Sequence, residues 1–419
     1  MTMTADPAAA LGPAIFDHIL TEVNNEVLGR SRELRAFAVA LLAKEHVFVL
    51  SRPGEAKTLM IDRFTSRIAG IHRFSTQLDA FAGDDALFGP WSVKRLMEDD
   101  VRARSAANDG IQYAHVAEID ELPRASGSTL STLLRITNER QYLDAGRWVT
   151  AQLCTMIASA NSLPWADADD QDRAADLAAL WDRIGIRLWM PPTTDLALLR
   201  RIVEAPPLDP NPRQVLNWAD VEAGQQAVAA MAVQPDALDA FFGMIRKLHK
   251  DHGLPVPSPR RTKLMLKLAA ANAWLAGAST VDVAHLDILT TALPHTPDDQ
   301  DAVDQVVLAV AAPNREQIRK EAVKAAALVV DYAKAVDIVE DAARTEAYVQ
   351  AYTRAQKCAL ALTRLEQGAT PADLDDINAV WPALQEVHAR FTTERLNQTT
   401  VTDFRAEARA GRINVRYRG

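Results

Sequence analysis

Short apolar runs alternate with amphipathic segments over residues 14–200 of the chain. Runs bounded by polar residues, glycine or proline predict five buried strands, at 46–50, 71–78, 113–119, 153–160 and 185–190. The segments between them have helical apolar spacing and predict helices at 32–43, 58–69, 126–138 and 172–183. Because strand–helix alternation is typical of parallel βαβ units, we predict an α/β domain whose parallel sheet is flanked by helices.

The remainder of the chain is predicted to be helical. Residues 203–213 carry four prolines and are the clearest linker, and no convincing strand follows them before the last few residues. Apolar spacing predicts helices at 215–231, 235–251, 258–276, 281–293, 300–311, 314–345, 347–366 and 371–397. We therefore predict an α/β core over 1–205 with a short N-terminal helix, an all-α domain over 206–295 and an all-α C-terminal bundle over 296–419.

Composition restricts the class of protein more than its function. Lys plus Arg total 46 against 55 for Asp plus Glu, a net charge of −9, which argues against a general nucleic-acid coat. Cys154 and Cys358 are far apart and predict neither a disulfide framework nor a cysteine metal site. No signal peptide and no membrane span is predicted, so we expect a cytoplasmic protein. A local basic excess lies at the C-terminal end, in Arg405, Arg409, Arg412, Arg416 and Arg418.

The loop after the first predicted strand has the features of a phosphate site. HVFVL leads into SRPGEAKT, which places Lys57 and Thr58 at a helix start, where free N–H groups favour an anion. The pattern G-x-x-x-x-G-K-[ST] is not met, because Ser51 and Ala56 occupy the glycine positions. Serine would add strain if position 51 required a positive φ. An ordinary strand–turn–helix with a surface lysine is the alternative interpretation of this loop.

Polar residues follow two further strands. Asp120 and Glu121 end the apolar run HVAEI, an arrangement in which the aspartate would hold Mg²⁺ and the glutamate would polarise the attacking water. Asn161 ends the next run, where an open α/β sheet carries its ligand groups. An acidic pair in a loop is common by chance, but polar ends on three apolar strands in this order favour a nucleotide site.

These motifs resemble those of AAA+ ATPases of the MoxR family, most closely the RavA-type regulatory ATPases. The resemblance covers roughly residues 28–295, and alanine before the lysine is usual in the family's loop. Ser51 and Arg52 depart from the family pattern. The segments that carry it are VLGR (27–30), RPGEAKT (52–58), ALFGPWSVKRL (86–96), TLLRITNERQYLDAGRWV (132–149), ASANSLPWADADD (158–170), LAALWDRIGIRLWM (177–190) and SPRRTKLMLKLAAANAWLAG (258–277).

The resemblance implies a role for each matching residue. Lys57 would contact the ATP phosphates, and Thr58 and Asp120 would hold Mg²⁺. Glu121 and Asn161 would act on the attacking water. Arg183 matches the arginine finger, although a cation facing a helix C-terminus is the alternative, and Arg260 matches sensor 2, with Arg261 beside it. The other implied nucleotide contacts are Gly29, Arg30, Pro53, Gly54, Glu55 and Ala56.

The family also implies an architecture and a partner. An arginine finger serves the neighbouring subunit's nucleotide, so we expect a ring, most simply a hexamer, with a helical lid over 206–295. We expect a chaperone-like remodeller that works with a von Willebrand factor A domain protein. The alternatives are a low-turnover nucleotide-binding scaffold and a nucleic-acid motor supported by the basic tail alone. The segments 91–114 and 139–153 match the family's helix-2 insert and presensor hairpin, which face either a partner or solvent. RavA-like proteins interrupt their C-terminal domain with a β-rich insertion, which is not apparent here.

Overall fold

The computed structural model describes residues 7–413 apart from 80–82, 102, 105–109, 164–170, 195, 336–340, 368, 370 and 397. The chain divides into two compact units, residues 1–307 and 308–419. Its strands are β1 (His46–Ser51), β2 (Ile68–Ala69), β3 (Arg73–Gln77), β4 (Val116–Asp120), β5 (Gln141–Asp144), β6 (Arg147–Thr150), β7 (Thr155–Ala160), β8 (Ile184–Met190), β9 (Leu216–Asn217), β10 (Ala232–Val233) and β11 (Thr280–Val281).

Most of the described chain is helical. The helices are α1 (Pro7–Glu26), α2 (Ser31–Ala43), α3 (Lys57–Thr65), α4 (Asp85–Phe88), α5 (Val93–Asp99), α6 (Gly127–Glu139), α7 (Gln171–Arg183), α8 (Leu196–Glu204), α9 (Trp218–Ala230), α10 (Pro235–His252), α11 (Pro259–Leu275), α12 (Gln300–Ala311), α13 (Pro313–Ala335), α14 (Asp341–Glu366), α15 (Pro371–Glu394) and α16 (Phe404–Arg409). Shorter 3₁₀ segments lie at Ile111–Tyr113, Leu122–Arg124, Val283–Thr291 and Pro297–Asp299.

The first unit is built on a parallel five-stranded sheet with the order β3-β4-β7-β1-β8. These are the five predicted strands, and the predicted α/β fold class is confirmed. Side chains of α6 and α7 pack on one face, where Phe48, Ile119 and Met156 share a core with Trp181. Every residue of β7 is buried, as expected for a central strand with both faces covered. Because β1, β4 and β7 are neighbours, the loops that follow them meet at one edge.

Residues 208–292 of the first unit are mainly helical, as predicted, with short strands that the sequence did not indicate. β9 pairs with β2, and β10 pairs with β11, two residues in each case. The prediction that no strand follows residue 213 was therefore wrong, because a two-residue strand is too short to show alternation. Helix α11 begins as the sequence suggests: Ser258 Oγ accepts from the Arg261 backbone N–H, and Pro259 occupies the first turn.

The second unit is an α-helical bundle over its described residues. Tyr332, Leu362, Trp381 and Phe404 belong to one buried core. The predicted break between the helices 314–345 and 347–366 was wrong, because α14 runs without interruption from Asp341 to Glu366. No glycine or proline lies near residue 346 to separate two helices there, so 341–366 is continuous.

The first part of the predicted basic tail packs within the second unit. Phe404 of α16 is fully buried in the bundle, and Arg405 and Arg409 donate to the Glu366 carboxylate at 2.9 and 2.8 Å. Partial burial alone would raise the pKa of Glu366, but these hydrogen bonds hold that pKa below its usual value. Two of the five tail arginines are therefore committed within the bundle. The last few residues, where the sequence left a strand open, lie after position 413, outside the described residues.

A buried histidine gives the first unit a pH-dependent stability. His46 Nδ1 accepts from the Met156 backbone N–H at 3.0 Å, so Nε2 carries the proton and donates to Thr137 O at 3.0 Å. Burial lowers the pKa of His46 well below its usual value. The unfolded chain binds a proton near pH 6.5 that the folded chain does not, so this contribution is present above pH 6.5 and lost as pH falls.

We expect His46 to lower the free energy of unfolding by about 2 kcal/mol between pH 7.5 and pH 5. Urea unfolding at both pH values measures the difference, and in His46→Asn the decrease should be smaller by about that amount. An unchanged pH dependence in His46→Asn would show that the ring charges in the folded protein.

Candidate functional site

The loop between β1 and α3 turns sharply through two left-handed residues. Gly54 has φ +87° and Ala56 has φ +62°, directly before Lys57 opens α3. The expected strain at Ser51 is absent, because Ser51 is the last, extended residue of β1 and its hydroxyl donates to Arg52 O at 3.2 Å. The strain lies instead at Ala56, the second glycine position of the standard pattern, where a left-handed alanine costs about 1–2 kcal/mol. The loop therefore has the tight, N–H-rich form that suits an anion.

Polar side chains from three strand ends meet beside this loop. Lys57 Nζ lies 3.8 Å from Asp120 Oδ1, and Ser159 of β7 donates to the same oxygen. Asn161 Nδ2 donates to Glu121 Oε1 at 2.8 Å. The structure thus brings together four predicted residues from three segments that are distant in sequence: Lys57, the adjacent Asp120 and Glu121, and Asn161. A cation, an acid pair and an amide at one sheet edge can hold a metal–phosphate group and orient a water.

Glu121 is held in a constrained position at this edge. Its backbone has φ +57°, which is unfavourable for a residue with a Cβ, and its side chain is largely buried. Oε2 lies 3.4 Å from Arg124 Nε, while Oε1 accepts from Asn161. The carboxylate is therefore oriented by two neighbours from different loops.

Two polar residues of the site were not predicted. They are Glu118, whose Oε1 accepts from Thr58 Oγ1 at 2.8 Å, and Ser159, which donates to Asp120. Glu118 and Ser159 belong to strands that otherwise look apolar, VAEID and TMIASA. Side chains alternate along a strand, so Glu118 shares a face with Asp120. That two-residue spacing was the available signal.

Gly29 and Arg30 lie beside the loop and connect it to the end of β8. The Arg30 guanidinium, which is buried, pairs with the Glu55 carboxylate and donates to Thr193 Oγ1 at 3.2 Å. Thr193 Oγ1 in turn donates to Glu55 Oε2 at 3.3 Å. The polar groups of Arg30 and Glu55 are thus paired with one another, and they clamp the loop in place.

Replacing Gly29 with alanine is expected to destabilise the first unit by about 2 kcal/mol or more. Gly29 has φ +77°, and a Cβ there would lie 2.6 Å from Leu198 Cδ2. Gly277 is a matched control, since it has φ +73° and a Cβ added there would have no atom of another residue within 4 Å. Urea unfolding should show a larger loss for Gly29→Ala than for Gly277→Ala, and equal losses would contradict the close approach to Leu198.

Arg183 and Arg260 do not join the loop cluster. They line a second cavity of about 470 Å³ with Glu45 and His46, at the amino-terminal edge of the sheet. The six residues of β1 separate that edge from the loop by about 17 Å, which exceeds the reach of an arginine. Arg183 Nη1 donates to Ala179 O at 2.6 Å, the helix-end contact that the alternative interpretation expected. The rest of the Arg183 side chain still lines the cavity.

The second cavity is strongly basic. Lys263 and Lys267 line it with the two arginines, against the single acid Glu45, which pairs with Lys267 at 2.9 Å. Burial, and then the neighbouring charge of Arg260, lower the pKa of Arg183. Arg261, the alternative sensor residue, is buried and donates to Ile184 O and Ala292 O. Of the two adjacent arginines, only Arg260 can therefore reach a ligand in this cavity.

The two insert segments carry exposed apolar side chains. On α5, Val93 and Met97 are 68% and 81% exposed, and no residue of this helix is buried. The predicted hairpin is present as β5 and β6, with a turn at Ala145 and Gly146, and it exposes Trp148. Large apolar groups in solvent favour a binding surface over a simple solvated excursion.

Comparison with known proteins identifies a family model over residues 14–206, described as the MoxR domain in the MoxR–vWA–β-propeller ternary systems. Two uncharacterized proteins of Methanocaldococcus jannaschii are similar. One is 27% identical over 285 residues, covering 68% of this chain and 73% of that protein. The other is 26% identical over 309 residues, covering 73% and 77%.

A solved structure has the same fold. The crystal structure of a candidate ATPase from Cytophaga hutchinsonii superposes with a TM-score of 0.58 at 12% identity, covering 72% of this chain and 96% of that one. At this identity the match supports the fold alone. In the described part of the chain, no helix has the length and apolar content needed to span a membrane.

Proposed function

Because residues 14–206 form an AAA+ domain of the MoxR family, we propose that the chain binds ATP with Mg²⁺ and hydrolyses it. The observation that carries this proposal is the edge cluster, in which Lys57, Asp120, Glu121 and Asn161 converge beside an anion-binding loop. The closer similarity to RavA-type members stays a prediction.

The residues present fit a magnesium–phosphate group. Thr58 Oγ1 and the Asp120 carboxylate supply the oxygen ligands that Mg²⁺ prefers, and Lys57 supplies a positive charge for the phosphates. When bound, the metal would neutralise charge on the phosphate oxygens. The loop backbone from Pro53 to Ala56 would supply N–H donors, while Gly29 and Arg30 would hold that loop in place.

In hydrolysis Glu121 would accept a proton from the attacking water. Asn161 donates to Glu121 Oε1, so it would orient the carboxylate and the water together. The contribution of these groups is positioning and electrostatic stabilisation, since phosphoryl transfer needs little covalent help from the protein.

The second cavity supports a ring. Arg183 and Arg260 line a cavity at the opposite end of β1 from the loop of their own chain, so they would serve the nucleotide of a neighbouring subunit. A rigid cationic fork can neutralise charge that develops on the γ-phosphoryl oxygens. Head-to-tail contacts of this kind close into a ring, and the family resemblance implies that the ring is a hexamer.

The proposed biological role is chaperone-like remodelling of a protein partner together with a von Willebrand factor A domain protein. The name of the matching family model, which refers to MoxR–vWA–β-propeller systems, supports this partner. The exposed apolar side chains of α5 and the β5–β6 hairpin offer a surface for it. The nucleic-acid alternative has lost part of its support, because Arg405 and Arg409 are bound to Glu366.

The test of nucleotide binding is equilibrium titration of the purified chain with ATP in the presence of Mg²⁺. Wild type should bind, and Lys57→Ala should bind at least about tenfold more weakly, because it removes the charge that faces the phosphates. Arg52→Ala, on the exposed side of the same loop, is the matched control and should bind nearly as wild type. Absence of ATP binding by wild type would overturn the proposal.

A further inference from the structure

Glu118 is a charged residue in the interior of a buried strand. It is only 7% exposed, and its neighbours Ala117 and Ile119 point into the core on the opposite face of β4. Central strands of parallel sheets are normally apolar on both faces, and a buried carboxylate is unfavourable unless it has partners. Its position beside the loop cluster therefore needs a reason other than packing.

The carboxylate of Glu118 has only one of its two oxygens paired. Oε1 accepts from Thr58 Oγ1 at 2.8 Å. Oε2 is buried and has no hydrogen-bond partner within the described residues. Leaving a buried charged oxygen unpaired is costly, so such an atom is a good indication of a ligand. The first turn of α3, with its free N–H groups, lies on the same face.

We infer that Glu118 is a positioning residue for the Mg²⁺ ion of the nucleotide site, an inference that rests on the proposed ATP-binding function. By accepting the only hydroxyl proton of Thr58, Oε1 leaves the lone pairs of Oγ1 available to the cation. Oε2 accepts a hydrogen bond from a metal-bound water. Mg²⁺ keeps several of its waters in proteins, and partners outside its direct ligands orient the site.

The negative charge of Glu118 also adds to that of Asp120. Lys57 lies near Asp120 and offsets part of the charge there, whereas no described cation pairs with Glu118. Additional carboxylate charge raises the affinity of oxygen sites for divalent cations. We therefore expect this chain to retain its divalent cation tightly even with ADP.

The test is Glu118→Gln, with Mn²⁺ as the probe for the metal. Glutamine keeps the shape, and its carbonyl oxygen can still accept from Thr58, but its NH₂ group cannot accept from a metal-bound water. Free Mn²⁺ is measured by EPR in the presence of saturating ADP. The Mn²⁺ dissociation constant should rise at least about tenfold, while ADP affinity in EDTA stays unchanged.

Glu26→Gln is the matched control. Glu26 pairs with Arg63 and Arg67 near the other end of α3, and these hydrogen bonds hold its pKa below the usual value. Removing its charge should lower thermal stability without changing the Mn²⁺ dissociation constant. If Glu26→Gln raised the Mn²⁺ dissociation constant as much as Glu118→Gln, then the loss of any carboxylate that contacts this part of the chain would weaken the site. That result would overturn the specific role of Glu118.

A second variant, Glu118→Leu, separates a metal role from a structural one. Leucine suits the buried strand, and the exposed Thr58 can bond to solvent, so the melting temperature without metal should rise. The extra thermal stabilisation that Mn²⁺ adds to the ADP complex should be lost. A lower melting temperature with an unchanged Mn²⁺ effect would overturn the inference. If wild type bound no ADP at all, the nucleotide-site proposal itself would fail.

Discussion

Replacing Glu121 with glutamine is expected to lower kcat for ATP about 10³-fold while leaving ATP binding nearly unchanged. The substitution keeps the size of the side chain and the acceptor for Asn161, but it removes the group that takes the proton from water. A positioned base is worth about 10²–10⁴ in rate, so the loss should lie in the chemical step.

Single-turnover hydrolysis of labelled ATP measures that step directly. Glu386→Gln is a suitable control, because Glu386 is a partly exposed carboxylate that pairs with Arg390 on α15 of the second unit. It should hydrolyse ATP at the wild-type rate. Equal single-turnover rates for wild type and Glu121→Gln would assign the proton transfer to another group.

Arg183→Ala is the second substitution with a large expected effect, a loss of about 10³ in kcat. The residue lies at the opposite sheet edge from the loop of its own chain, so the loss should arise at the subunit contact. ATP binding to the separate chain should be preserved. Lys263→Ala removes a charge from the same cavity and should have a clearly smaller effect, because lysine lacks the planar fork of arginine.

Mixing two inactive variants tests whether Arg183 acts on a neighbour. Arg183→Ala chains keep an intact loop cluster, and Lys57→Ala chains keep an intact Arg183. In mixed rings some sites combine both intact halves, so steady-state ATPase activity should reappear. Activity that stays at the level of the separate variants at every mixing ratio would place Arg183 outside the hydrolytic site.

The sequence predicted the five-stranded sheet well because its strands are short apolar runs between polar or Gly/Pro residues. It did not predict the two-residue strands β9, β10 and β11, since pairs of that length have no period. The predicted break at residue 346 was wrong for a related reason, because 341–366 is rich in helix formers and contains no strong stop signal. Local patterns predicted long elements, whereas tertiary pairing determined the short ones.

The site was predictable where chemistry coincides with a strand end. Lys57, Asp120, Glu121 and Asn161 were found in this way, and the structure places them together. Their roles in ATP hydrolysis remain predictions. Glu118 was missed because it lies inside a strand, where polar residues attract less attention than at its end.

The location of Arg183 and Arg260 depended on tertiary structure. Their positions in the sequence did not indicate that α11 begins against the end of α7, where Ser258 Oγ donates to Asp182. That contact places both arginines in one cavity at the amino-terminal edge. The separation of the two halves of the proposed site is therefore a structural finding.

The most direct measurement is steady-state phosphate release from Mg-ATP by the wild-type chain beside Glu121→Gln and Lys57→Ala, with ATP binding measured on the same samples. The proposed function predicts that wild type releases phosphate at least about 10²-fold faster than either variant. Glu121→Gln should still bind ATP, and Lys57→Ala should bind it weakly. A wild-type rate no faster than both variants, with ATP bound, would contradict ATP hydrolysis and leave a nucleotide-binding scaffold.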